Sequence, residues 1–130
     1  MLERVTESPM AVYRRHLDRG ELAYQYCAAA DAAVFPPRLV CPYTGTEPLE
    51  WRVSRGLGTV YAVTLVHRAK GLRHNVVLID LDEGFRVLSA VEGIEPEAVH
   101  IDLRVRVRIA VPADPDSAPY PVFEPLAHIR

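Results

Sequence analysis

At 130 residues the chain has room for one hydrophobic core, or for a small module attached to one. Fifteen basic side chains against seventeen acidic ones leave a formal charge of −2, a poor balance for general nucleic-acid binding, whose affinity comes chiefly from neutralising phosphates with Lys and Arg. No apolar run approaches the roughly 18 residues of a membrane-spanning helix, and the opening MLERVTESPM lacks the apolar centre of a signal peptide; the expected location is cytoplasmic.

In chain order, residues 1–7 read as a flexible lead. Ser8 then offers a hydroxyl to the first free N–H groups of a helix, and Pro9 is preset for its first turn. Met10, Tyr13 and Leu17 recur at helical spacing, Arg14, Arg15, Asp18 and Arg19 mark the wet side, and Gly20 supplies the stop. The spacing predicts an amphipathic helix of about three turns. Its apolar stripe needs a surface, either its own domain or a partner chain.

Residues 21–26 read as a strand that enters a two-knuckle zinc-ribbon pattern. Such a ribbon needs two C-x-x-C turns, four thiolates in all. Here Cys27 opens the first turn but Ala30 stands three later, and Cys41 opens the second but is followed by Thr44. Gly45 keeps the residue that tolerates positive φ. A structural zinc site contributes roughly 10–16 kcal/mol from four good ligands; alanine offers none, threonine is a poor one, and no histidine lies between the turns. The expectation is no zinc and no other cofactor, with Cys27 and Cys41 as vestigial, partly buried free thiols. A disulfide between them is conceivable in geometry and opposed by a reducing compartment. Val34, Phe35, Leu39, Val40, Tyr43 and Trp51 are then expected to hold the ribbon by packing, and residues 35–37 (Phe-Pro-Pro) form a stiff link.

Residues 49–54 return as a strand. R-G-L-G (55–58) is a turn, and strands follow at 59–66, 75–81, 85–91 and 103–111, with a Asp82-Glu83-Gly84 turn and one helical turn near 93–99. Five or so strands without a long helix between them predict a small closed or nearly closed barrel. Residues 112–125, rich in proline, read as an extended tail. The fold class is mainly β: an N-terminal lead and short helix (1–20), a degenerate zinc-ribbon module (21–52) and a five-stranded barrel with a C-terminal tail (53–130).

FPPR (35–38), GTVYAVTLVHR (58–68) and DLDEG (80–84), in this order behind the half-emptied ribbon, carry a resemblance. The chain resembles the acyl-CoA-associated OB-fold family with an N-terminal rubredoxin-like zinc ribbon, a domain-of-unknown-function type. The resemblance implies a non-catalytic accessory protein whose partner is a thiolase-like or MaoC-like hydratase enzyme, with acyl-CoA as a ligand of the assembly. A departure from the family lies at Ala30 and Thr44, in place of its second and fourth ribbon cysteines.

No catalytic constellation assembles from the sequence: none of its four serines stands in a G-x-S-x-G turn. His67, Arg68, Lys70, Arg73 and His74 crowd one loop that could hold a coenzyme A phosphate or another anion, or simply be solvated. Tyr13, Leu17, Phe35 and Trp51 are candidates for partner contact. Arg104, Arg106 and Arg108 line one strand face, as an anion-binding row or as the defence of an edge strand. A single-stranded nucleic-acid-binding module is the rival function. Tyr61 and Phe85 alone make a weak stacking platform for it.

Overall fold

The computed structural model describes residues 8–45 and 49–126; the expected lead at 1–7 and the last four residues of the tail lie outside them. Helix α1 (Pro9–Asp18) starts as the sequence predicts, with the Ala11 N–H donating to Ser8 Oγ at 3.1 Å. It stops on Gly20 at φ +80°, where the Gly20 N–H reaches the Leu17 carbonyl and the Glu21 N–H reaches the His16 carbonyl, each at 2.9 Å. The apolar stripe is narrower than predicted: Leu17 is buried, Tyr13 half-buried and Met10 exposed. Ser8→Ala should lower stability by about 1 kcal/mol in urea unfolding, since one first-turn donor loses its acceptor.

The ribbon is a three-stranded antiparallel sheet of β1 (Ala23–Cys27), β2 (Ala32–Val34) and β3 (Glu50–Val53), in the order β2-β1-β3. Ala-Ala-Val is too short and too alanine-rich to read as a strand, so β2 escapes the sequence pattern. Its register places Cys27 opposite Ala32, directly after the first knuckle. Buried Gln25 holds the Pro-Pro-Arg segment, its amide donating to the Arg38 carbonyl at 2.8 Å and accepting from the Arg38 N–H at 2.7 Å.

The second sheet contains β4 (Leu57–His67), β5 (Arg73–Leu81), β6 (Arg86–Ser89), β7 (Arg104–Ala110) and β8 (Tyr120–Pro125), ordered β6-β5-β4-β7-β8. Residues 120–125, expected as extended tail, pair with β7 at six positions. Proline is tolerated there because β8 has only one full neighbour. The sheet closes through a parallel bridge between Val91 and Phe123, with the Phe123 N–H on the Ala90 carbonyl at 2.9 Å and the Glu92 N–H on the Phe123 carbonyl at 2.8 Å. Asn75 is buried behind this closure: its amide donates to the Val91 carbonyl at 2.9 Å and accepts from the Val91 N–H at 2.8 Å.

A register shift between Val60 and Ala62 marks a bulge in β4. The extra residue, Tyr61, turns outward, and the Arg86 guanidinium covers its ring at 3.6 Å. The barrel core gathers Val60, Val77, Ile79, Val105 and Phe123, and Leu22 and Tyr24 from the ribbon side belong to the same cluster. Ribbon and barrel therefore share one interior.

Candidate functional site

An aromatic seam joins helix, ribbon and barrel. Tyr13 meets Phe35 edge-on with ring centroids 5.6 Å apart; Phe35 lies 5.3 Å from Phe85, which stacks on Tyr24 at 4.7 Å. Trp51 stacks on His16 at 5.9 Å, and His16 Nδ1 lies 2.8 Å from Glu21 Oε1. The structure brings three of the expected partner-contact residues, Tyr13, Phe35 and Trp51, to this seam, half-buried. Leu17 is a correction: at 4% exposure it is spent on the helix's own docking and has no surface for another chain.

Phe35 separates two open clefts. One, of about 520 Å³, lies between ribbon and barrel and is lined by Ala33, Tyr43, Asp80, Phe85 and Arg86 among others. The other, of about 470 Å³, is more apolar and runs between Tyr13, Leu88 and Tyr120. Leu39, Tyr43 and Leu88 are each more than 60% exposed, so the packing role expected of Leu39, Val40 and Tyr43 is a second correction: these side chains are offered outward. For Leu88 the signal was legible, since FRVLS puts it at an outward position of an alternating strand. Nothing in the local pattern marked Tyr43.

The basic loop between β4 and β5 keeps its five residues together on the surface. Arg73 is taken by Glu97 at 2.7 Å and Glu95 at 3.6 Å, and Arg68 Nε donates to His74 Nδ1 at 3.3 Å. Lys70 sits at φ +67°, outside the helical region. The arginine row is neither an edge nor a cationic stripe. Strand β7 lies between β4 and β8, and each arginine meets an acid: Arg104 with Asp82 at 2.7 Å, Arg106 with Glu124 at 3.9 Å and Arg108 with Glu92 at 2.5 Å. The Arg104 guanidinium holds the Asp82 carboxyl below its ordinary range. A face so paired has little charge left to release counterions from nucleic acid.

Both ribbon thiols are buried and free, clustered with Val34 and flanked by Ala30 and Leu49. The knuckle backbone persists: Asp31 and Gly45, each following a fourth position, have φ of +49° and +70°, and the Gly45 N–H reaches the Cys41 carbonyl at 2.7 Å. The donor set does not fit the family's zinc. A tetrahedral structural site takes four nitrogen, sulfur or carboxylate ligands; here two corners are a methyl and a hydroxyl, and among the described residues no group of three or more His, Cys, Asp or Glu converges.

Burial alone would raise the Cys41 thiol, but hydrogen bonds from Cys27, Thr44 and the N–H groups of Tyr43 and Thr44 outweigh it and bring Cys41 down from 9.0 to about 7. A thiol depressed in the folded state releases its proton earlier there than in the unfolded chain. Its contribution to stability is complete above about pH 9 and is lost as pH falls through about 7. Urea midpoints should therefore rise between pH 7 and 9, and Cys41→Ala should flatten that rise.

Among the described residues, no helix is long and apolar enough to cross a membrane. Two family descriptions match the chain in succession: "ChsH2, rubredoxin-like zinc ribbon domain" over residues 14–50 and "ChsH2, C-terminal OB-fold domain" over 51–110. It is 32% identical over 108 residues to a "Probable enoyl-CoA hydratase alpha subunit" of Thermomonospora curvata, covering 80% of this chain and 33% of that relative. To a "DUF35 domain-containing scaffold protein" of Methanocaldococcus jannaschii it is 33% identical over 86 residues, 61% of this chain and 60% of the relative. The chain thus spans a third of one curated relative and under two thirds of the other.

Among solved structures, a chain of "Ltp2-ChsH2(DUF35) aldolase" superposes with a TM-score of 0.79 at 28% identity, covering 95% of this chain and 98% of that one. A DUF35-family protein of unknown function from Sulfolobus solfataricus shares the fold, with a TM-score of 0.65 at 14% identity over 78% of each chain. The chain belongs to the DUF35 family of ChsH2-type proteins, in which a rubredoxin-like ribbon precedes an OB-fold barrel.

Proposed function

We propose that the chain is a non-catalytic accessory protein, metal-free in its ribbon with respect to zinc, that docks on a thiolase-like or MaoC-like hydratase enzyme of acyl-CoA metabolism and steadies it. The observation that carries this reading is the end-to-end likeness to a chain of the "Ltp2-ChsH2(DUF35) aldolase". The relatives named as a scaffold and as a hydratase subunit point the same way. The docking surface is the seam around Phe35 with the outward Leu39, Tyr43, Leu88 and Tyr120, a concentration of apolar area of the kind that marks interaction sites. The loop with His67, Arg68, Lys70 and His74 is the proposed contact for coenzyme A phosphates; Arg73 is spent on its two glutamates.

The tagged chain, passed over lysate of its own host, should retain a thiolase-like or hydratase subunit identified by mass spectrometry. Tyr43→Asp should cut that recovery at least tenfold while leaving the unfolding midpoint in place, because the ring is two-thirds exposed. A chain that captures no acyl-CoA enzyme, or that turns over acyl-CoA by itself, refutes the reading.

A further inference from the structure

Strand β6 pairs with β5 from Arg86 to Ser89 and stands at the end of the strand order. In an antiparallel ladder the backbone groups of successive residues alternate between the partner strand and the opposite side. Bonds at both ends of β6 fix that alternation. The Phe85 carbonyl accepts from Leu81 in β5, and both backbone groups of Val91 are held by Asn75, also in β5. The Ala90 carbonyl and the Glu92 N–H turn the other way, to Phe123. By the same alternation, the N–H and carbonyl of Arg86 and of Leu88 point away from β5.

Pro121 is the reason β8 does not cover them. With Phe123 bonded to Ala90 and Glu92, the next bond of a parallel ladder would run from the N–H of residue 121 to the Leu88 carbonyl. Proline has no N–H to give, and the Pro121 carbonyl takes the Ser89 hydroxyl at 3.0 Å instead. Strand β8 begins at Tyr120, so it does not continue beside Arg86. The two clefts lie along this same edge. Arg86 lines the first, Leu88 the second, and Phe35 borders both.

We infer that the outer edge of β6 receives one extended, uncharged segment of the partner enzyme, which pairs as an added strand with the open backbone groups of Arg86 and Leu88. The accessory reading above supplies only the identity of that partner. Backbone chemistry is the first argument: two outward N–H groups and two outward carbonyls in strand geometry are matched by another extended backbone. Charge is the second. Among the described residues lining the clefts, Asp80 and Arg86 are the only charged ones, and they satisfy each other at 2.6 and 3.2 Å. An uncharged occupant complements such a groove. Shape is the third. Tyr13 and Phe35 wall the slot on one side and Tyr120 and Pro121 on the other. A single strand enters there, whereas the β6 of a second copy would bring its own β5 behind it. Side chains two apart on the added strand share a face about 7 Å from each other, which sends one into each cleft.

The probe is the peptide acetyl-Thr-Val-Thr-Val-Thr-Val-Thr-amide, titrated onto the full chain and followed by calorimetry and amide hydrogen exchange. The expected result is saturable binding with exchange slowed at Arg86 and Leu88 and unchanged at Val87 and Ser89, whose N–H groups already face β5. The same peptide N-methylated at every residue should not bind. Leu88→Pro deletes an outward N–H without removing a β5 bond and should weaken binding about tenfold, while Leu88→Thr keeps that N–H and should stay within about threefold. Urea midpoints report whether both variants are folded, and the N-methylated peptide tests the backbone pairing without them. The inference is overturned if the peptide fails to bind at about 1 mM, if the N-methylated form binds equally well, if folded Leu88→Pro binds like the wild type, or if the slowed amides lie outside β6. A wild-type dimer in sedimentation that Leu88→Pro disperses would overturn it too, since a second copy would then hold the edge. A chain that binds the peptide yet retains no acyl-CoA enzyme from lysate sinks the accessory reading and leaves the strand-accepting edge supported.

Discussion

Replacing Asn75 with leucine should cost the fold about 2–5 kcal/mol. Leucine is similar in volume and apolar, so the loss does not come from an empty space. It comes from Val91, whose N–H and carbonyl are both satisfied by the Asn75 amide in a site that is buried on both sides. Each buried backbone group left without a partner costs about 1–3 kcal/mol. Val91 also forms the parallel bridge to Phe123 that closes the barrel, so the same substitution should loosen β6 from β8. Urea unfolding should show a lower midpoint, and hydrogen exchange should speed up at Phe123 and Glu92, whose N–H groups make the closing bonds. A loss below about 1 kcal/mol would mean that the closure does not depend on this amide.

Gly56→Ala should be nearly as damaging, at about 2–4 kcal/mol, combining a left-handed backbone penalty with overpacking. Gly56 has φ +78°, and a Cβ there would stand 2.3 Å from Val107 Cγ1. The Gly56 carbonyl also accepts the Val107 N–H at 2.8 Å, which fixes the two strands too close for a methyl between them. The preceding Ser54 Oγ accepts the Gly56 N–H and donates to Glu83, whose carboxylate also accepts the Arg55 N–H. The turn therefore cannot swing away to make room. Gly56→Ala should shift thermal unfolding by several degrees, whereas Gly71→Ala, at a similar φ but with open space around it, should cost only the backbone penalty. Equal losses at the two positions would refute the role assigned to Val107.

The order and type of most elements were legible because their signals are local. Ser8-Pro9 and Gly20 bracket α1, and the Asp82-Glu83-Gly84 turn brackets β5 and β6. What stayed hidden depends on contacts made far along the chain. Strand β8 carries Pro121 and Pro125, so its pattern argues against a strand until β7 is seen beside it. The arginines of β7 looked like free charge because Asp82, Glu92 and Glu124 arrive from three other segments. The outward turn of Tyr61 was hidden because a bulge leaves no mark in single-strand alternation. At the candidate site, the basic cluster and the aromatic residues could be named from sequence. Whether each points inward or outward was a question of tertiary burial, and it went the other way for Leu17 and Tyr43.

Leu22 and Tyr24 lodge among the barrel's own interior side chains, which makes the front of the chain a stopper seated in the rear. A stopper anchored from outside itself holds its place through that apolar seat, whatever stands at the positions of Ala30 and Thr44. The same anchoring means that severing the chain near Ser54 would not release two independent folding units: the rear half would be left with an open bottom, and the front half with nothing to seat against.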